Sequence, residues 1–263
     1  MTTGRSVLKY SRVYVSGYDL SGYARSIGPL ACTFQEGADD PINASVIGTW
    51  MGQATITPGT LNALFDNTAT TGLHALMGSP PAKRDIMVAQ GIQAIPAAGD
   101  PVFVGQFPQD DYITDPAATP NTATMKFGAS HGASTTLAYY QPWGVLAHAY
   151  GAETTDNVAA GIDELAATSD GGYMMYQVFT AVGAGSITAT IKVQDASINS
   201  DVNFGDLLSS GVINCGAGGV AVPTSGVVAL ATTAAVKQYI RWQVTFGTAT
   251  SVTFALAFIR NKY

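Results

Sequence analysis

Charge is scarce in this sequence. Only 11% of its 263 residues are Asp, Glu, Lys or Arg, less than half the usual share of a soluble domain. A surface so poor in charge repels its own copies weakly and suits burial against neighbours. The 12 Lys and Arg residues form no cluster and the net charge is −6, which argues against a protein that grips nucleic-acid phosphates. Cysteine is almost absent. Cys32 and Cys215 are far apart, so neither a disulfide framework nor a metal motif is expected, and both read as buried free thiols compatible with a reducing compartment. His74, His131 and His148 include no His-x-x-x-His pair, so no metal site is expected. No apolar run approaches bilayer length, and Met1-Thr-Thr-Gly-Arg5 leads into no apolar leader. No glycine loop follows a strand and opens a helix, so no cofactor is expected either.

What is present reads as β structure, with 47% hydrophobic residues to fill a core. Ser11–Val15, 44–51, 53–57, 85–89, 101–107, 123–127 and 135–140 are strand candidates broken by Gly and Pro. Thr60 is expected to cap a short helix over 61–65, with Leu61, Leu64 and Phe65 on one face, and 72–77 suits another helical turn. From Tyr150 to Gly172 the chain turns rich in Ala, Gly, Thr and Asp. That change predicts a first domain over 1–150, a linker over 151–172 containing a short helix at 158–165, and a second domain over 173–263. The second is the clearer β text. Ile187, Ala189, Ile191 and Val193 alternate with Thr188, Thr190, Lys192 and Gln194, and 240–246 repeats the pattern. Several such strands within about 90 residues predict a two-sheet sandwich.

Catalytic signals are weak. Gly128-Ala-Ser-His-Gly132 fits the nucleophile-elbow pattern, but a β-prone segment follows Ser130 where an elbow needs a helix, so a hairpin turn is expected and no enzyme. Asp39-Asp40 and Asp110-Asp111 lack the spaced ligands of a calcium loop. Twelve tyrosines suit either glycan stacking or protein interfaces, and the residues alone leave both uses open.

Charge is also unevenly spread. Residues 1–35 hold Arg5, Lys9, Arg12 and Arg25 against Asp19, whereas nine acids from Glu36 to Asp115 face only Lys83 and Arg84. A basic arm and an acidic body can pair head to tail between copies. The stretch Tyr14–Ile27 then reads as a strand end, a turn capped by Asp19, and a loop reaching a neighbouring subunit. Tyr14, Tyr18, Asp19, Tyr23 and Arg25 are the candidate interface residues.

The segment Val13-Tyr-Val-Ser-Gly-Tyr-Asp-Leu-Ser-Gly22 resembles the opening of tailed-bacteriophage tail-tube proteins, and 48–57, 61–66 and 141–148 resemble their later elements. Segments 187–197, 204–208, 237–242 and 252–258 resemble β-sandwich domains attached to phage virion proteins. The resemblance implies a mainly β chain: a tail-tube-like, barrel-forming domain with one short α-helix, then an immunoglobulin-like or jelly-roll sandwich on the outside. It implies identical subunits in rings, usually of six, stacked into a tube that conducts DNA without specific binding. Other tail proteins would be the further partners, with no membrane and no active site. Assembly would take place in the host cytoplasm and the product would reside in the virion tail. Glu36, Asp39 and Asp40 stand where the family has an acidic loop and are candidates for the lumen. A capsid decoration protein and a glycan-binding virion module are the alternative readings. The Ala/Pro-rich stretch 95–124 has no assigned place.

Overall fold

The structure is a computed structural model that describes residues 10–39, 48–79, 83–91, 95–129 and 141–261. The chain is mainly β, as expected. Its centre is an eight-stranded antiparallel sheet. From the first half of the chain come β1 (Ser11–Val15), β2 (Tyr18–Asp19), β7 (Arg84–Gln90), β8 (Pro101–Phe107) and β11 (Trp143–Glu153). From the last part come β14 (Gly172–Gly183), β19 (Thr224–Ala229) and β21 (Ala249–Arg260). The order is β19-β14-β21-β11-β8-β7-β1-β2. Residues 151–172, expected as a linker, hold the end of β11 and the short strands β12 (Asn157–Val158) and β13 (Ile162–Asp163). Strands from before and after them thus lie in one sheet. The helix expected over 158–165 is absent, because β20 (Tyr239–Phe246) offers one side of its backbone to β12 and β13.

Both faces of the central sheet are covered. The sheet rolls on itself, and one face fills the interior with Tyr14, Met87, Val104, Leu146, Met175, Ala257 and their neighbours. Two layers cover the outer face. A four-stranded sheet, β3 (Ala24–Gly28), β6 (Thr60–Leu64), β10 (Thr122–Lys126) and β9 (Ile113–Asp115), packs Leu61, Ala63, Ala123 and Met125 against Val13, Val15, Ile86, Val88 and Phe103. A seven-stranded sheet built on β20 and β15 (Ile187–Ala196) packs Ile187, Ile191, Val193, Ile240 and Val244 against Met174, Val178, Phe254 and Phe258. It is completed by β12, β13, β16 (Gly205–Ser209), β17 (Ile213–Ala217) and β18 (Val220–Ala221). The alternation read over 187–193 is the buried face of this sandwich.

Among the described residues the one α-helix, α1, lies at Leu73–Met77, and the segment 61–65 is not helical. Leu61 and Ala63 are buried while Asn62 points out, which is the period of a strand, and pairing with β3 and β10 on either side overrides helical propensity. Thr60 is therefore the first residue of β6 and not a helix cap. The buried Arg84 and Gln109 hold the end of α1. Arg84 Nη2 donates to the carbonyls of Leu76 and Ser79, and Gln109 Nε2 donates to that of Met77. These bonds satisfy carbonyls that a helix end leaves unpaired.

The rolled sheet closes through side chains. The β1–β2 turn, with Ser16 and Gly17 at positive φ, lies against β14 and the start of β19. A Cβ on Gly17 would sit 2.6 Å from the Thr224 nitrogen, so only glycine fits. The Gly17 N–H donates to Gln177 Oε1, and Gln177 Nε2 donates 3.0 Å to the Asp85 carbonyl. The Asp85 carboxylate accepts from Gln106 Nε2 and Ser225 Oγ. Gln177 is fully buried, so its amide takes the place of a missing ladder rung. We expect Gln177→Leu, which leaves Gly17 N–H and Asp85 C=O unpaired, to cost about 2–5 kcal/mol in urea unfolding.

His148 occupies a second buried polar position, stacked 4.0 Å from the Phe254 ring and edge-on to Trp242. Nε2 lies 3.1 Å from Glu153 Oε1 and Nδ1 lies 3.1 Å from the Phe254 carbonyl. Burial pushes its pKa below the ordinary 6.5, against the opposing pull of Glu153 and the carbonyl. A lowered value means that the unfolded chain takes up the proton first. The associated stability is full above 6.5 and is lost as pH falls through the folded value. Stability should therefore fall less steeply from about pH 7 to 5 in His148→Gln than in the parent, as read from urea midpoints at each pH.

Candidate assembly surface

The motif Tyr18-Asp-Leu-Ser-Gly22 sets the start of the outer four-stranded sheet. Asp19 Oδ1 accepts from the Ser21 N–H at 2.9 Å, the cap expected of an Asp in this turn. Leu20 is wholly buried. Ser21 Oγ accepts from the Val13 N–H at 3.0 Å, tying the turn to β1. Tyr23 and Ala24 both donate backbone N–H groups to the Leu20 carbonyl. The chain thereby leaves the central sheet and enters β3.

The four-stranded sheet has two unpartnered borders. Among the described residues β3 pairs only with β6, and β9 pairs only with β10. Its solvent face is polar: Asn62 Nδ2 donates to Ser26 Oγ at 2.9 Å, and Thr124 Oγ1 donates to Asn62 Oδ1 at 3.1 Å. On the β3 border Ala24 pairs with Ala63 and Ser26 with Asn62, so Arg25 is the extra residue of a bulge. Arg25 is exposed.

The β9 border is exposed along its whole length, with Ile113 57% accessible. Asp115 Oδ1 accepts from the Ala117 N–H at 2.9 Å. Beside it lies a hollow of about 60 Å³ lined by Phe65, Thr114, Asp115, Pro116, Asn121 and Thr122. The Phe65 N–H donates to the Asn121 carbonyl, and the Phe65, His74 and Tyr112 rings contact in series. Helix α1 and the residue before β9 thus brace the Phe65 wall.

Between β3 and β6 the chain makes an arm of two strands, β4 (Ala31–Asp39) and β5 (Gly48–Thr57). They pair with each other and with no other strand among the described residues. Nine residues of strand span about 30 Å. Ile56 and Cys32 anchor the base in the core beneath the sheet, while Phe34 is 44% exposed. Burial raises the Cys32 thiol pKa, as it does that of Cys215, so neither is an activated thiolate.

The candidate residues read from the sequence go to different places. Tyr14 is 1% exposed and faces the interior against Phe179 and Tyr150, so its ring has no surface to offer another chain. Burial drives its pKa strongly upward. Tyr18 and Tyr23 are half-buried over the core between the sheets, and the Tyr23 hydroxyl reaches the Thr71 carbonyl. Asp19 is exposed and serves its own turn. Arg25 alone of the five stands at a free border. Glu36 and Asp39 lie in β4 toward the far end of the arm, opposite Met51 and Gly48. Asp40, Ser130 and His131 lie outside the described residues. No cluster of His, Cys, Asp and Glu suited to a metal occurs among the described residues. The β9 border was missed. Its only signal is the β-prone pair Ile113-Thr114, within the stretch left without a place.

No protein-family model matches the chain, and no curated protein matches it. Among solved structures it is similar to the SPP1 Dit (gp 19.1) protein, described as a paradigm of the hub adsorption apparatus of phages that infect Gram-positive bacteria. The similarity spans 95% of this chain and 98% of that one, at 11% identity and a TM-score of 0.32, too low to set a family.

Proposed function

We propose that this chain is a structural subunit of a bacteriophage tail and works as an assembly of identical copies. The observation that carries the reading is the four-stranded sheet whose two borders have no partner strand among the described residues, with a two-stranded arm rising between its strands β3 and β6. Open borders in a lone sheet are a liability that proteins cover or use. The strands β3, β6, β10 and β9 alternate in direction, and their number is even. A second copy set beside the first in the same orientation therefore presents its β3 antiparallel to β9. Repeated around an axis, this heterologous joint closes a ring when the rotation per copy divides a full turn.

The resemblance of Val13–Gly22 to tail-tube openings and the low surface charge support the same reading. In the finer form of the proposal, rings stack into a tube and the arm reaches along to the next subunit. Glu36 and Asp39 would then help make a lumen that repels phosphates and lets DNA slide. The chain would have no catalytic role, and the seven-stranded sheet would lie on the outside.

Negative-stain microscopy and sedimentation of the purified full chain over a hundredfold concentration range test the proposal. Closed rings or stacked rings are expected. A particle of single-chain mass at every concentration would overturn it.

A further inference from the structure

Resting on that reading, we infer that Arg25 of one copy seats in the hollow beside Phe65 and Asp115 of the next. The two sites lie on opposite borders of one sheet, so no chain can fill its own hollow with its own Arg25 while the sheet is intact. Each is incomplete alone. Among the described residues the Arg25 guanidinium has neither a hydrogen bond nor an ion pair, and the bulge that carries it sets it out of the β3–β6 register. In the hollow, Asp115 uses Oδ1 on its own turn, and Oδ2 has no partner among the described residues.

The chemistry of the hollow selects the occupant. Its volume of about 60 Å³ is room for about two waters, the scale of a small planar head such as a guanidinium. A carboxylate on one wall and an aromatic ring on another are the two surfaces a guanidinium binds best, by charge-assisted hydrogen bonds and by stacking. Lysine would supply the charge without the plane. The apolar stem of arginine can lie along Pro116.

Charge also decides which borders meet. Two β3 borders face to face oppose Arg25 to Arg25, and two β9 borders oppose Asp115 to Asp115. Only the unlike pairing brings opposite signs together, so this contact excludes the two-fold dimer and leaves the head-to-tail joint.

A charge-exchange experiment on the full chain tests the inference. Self-association is measured by sedimentation velocity for the parent, Arg25→Glu, Asp115→Arg and the chain carrying both. Asp115→Asn and Arg25→Lys are added because Asn retains the Oδ1 acceptor for Ala117 and Lys retains the charge without the plane. Both positions are exposed, so the melting temperature of each variant should stay near that of the parent. Each reversal should weaken association at least tenfold, the double exchange should restore it to within about threefold, and Asn and Lys should weaken it by lesser factors. If the parent assembles and the single reversals assemble equally well, the seat is wrong while the tail-subunit reading stands. If the parent itself never assembles, both are overturned.

Discussion

Every β-sheet has to do something with the hydrogen-bonding groups along its borders, and this molecule answers that demand in two ways. The central sheet rolls until its ends meet, and a buried glutamine supplies the bonds that strand pairing does not reach. The polar seam costs desolvation but lets an eight-stranded sheet keep an apolar interior and two covered faces. The outer four-stranded sheet stays open among the described residues. Its inner face is committed to the core, its outer face is a ladder of small polar side chains, and its borders are the ones proposed to take another chain.

Much of this was legible in the sequence where one face of a strand is wet. The alternation over 187–193 and 240–244 states its buried face directly, and the Asp-Leu-Ser-Gly turn states its own cap. Legibility fails where both faces are dry. In Val13-Tyr-Val15 a tyrosine between two buried valines reads as a polar-tipped surface ring, but a rolled sheet packs its second face too, and the run is a fully buried strand. The segment 61–65 satisfies both a helical and a strand period over its few residues, and only its neighbours β3 and β10 decide. Arg25 was readable as a surface cation. The hollow beside Phe65 and Asp115 was not, because the two residues are brought together from positions 50 apart by pairing that leaves no local pattern.

The shortage of charge takes on meaning in this setting. Several of the charges present are spent inside the chain, as with Lys192 on Asp206, Arg241 on Asp201 and Arg260 beside Glu164. Those left on the open sheet stand on a background of Ser, Thr and Asn, where a single pair of opposite sign carries more orienting weight than it would on a crowded ionic surface.

The shared central sheet also governs timing. Strand β21 runs between β14 and β11, so the rolled sheet is cut in two until residues near 260 are in place. A nascent chain carries the arm and both open borders long before it can brace them from beneath. Such long-range pairing folds slowly. In the proposed assembly, synthesis would couple to polymerisation through the final strand: a chain interrupted before β21 would lack the platform that holds its sheet borders in shape, and its own geometry would keep it out.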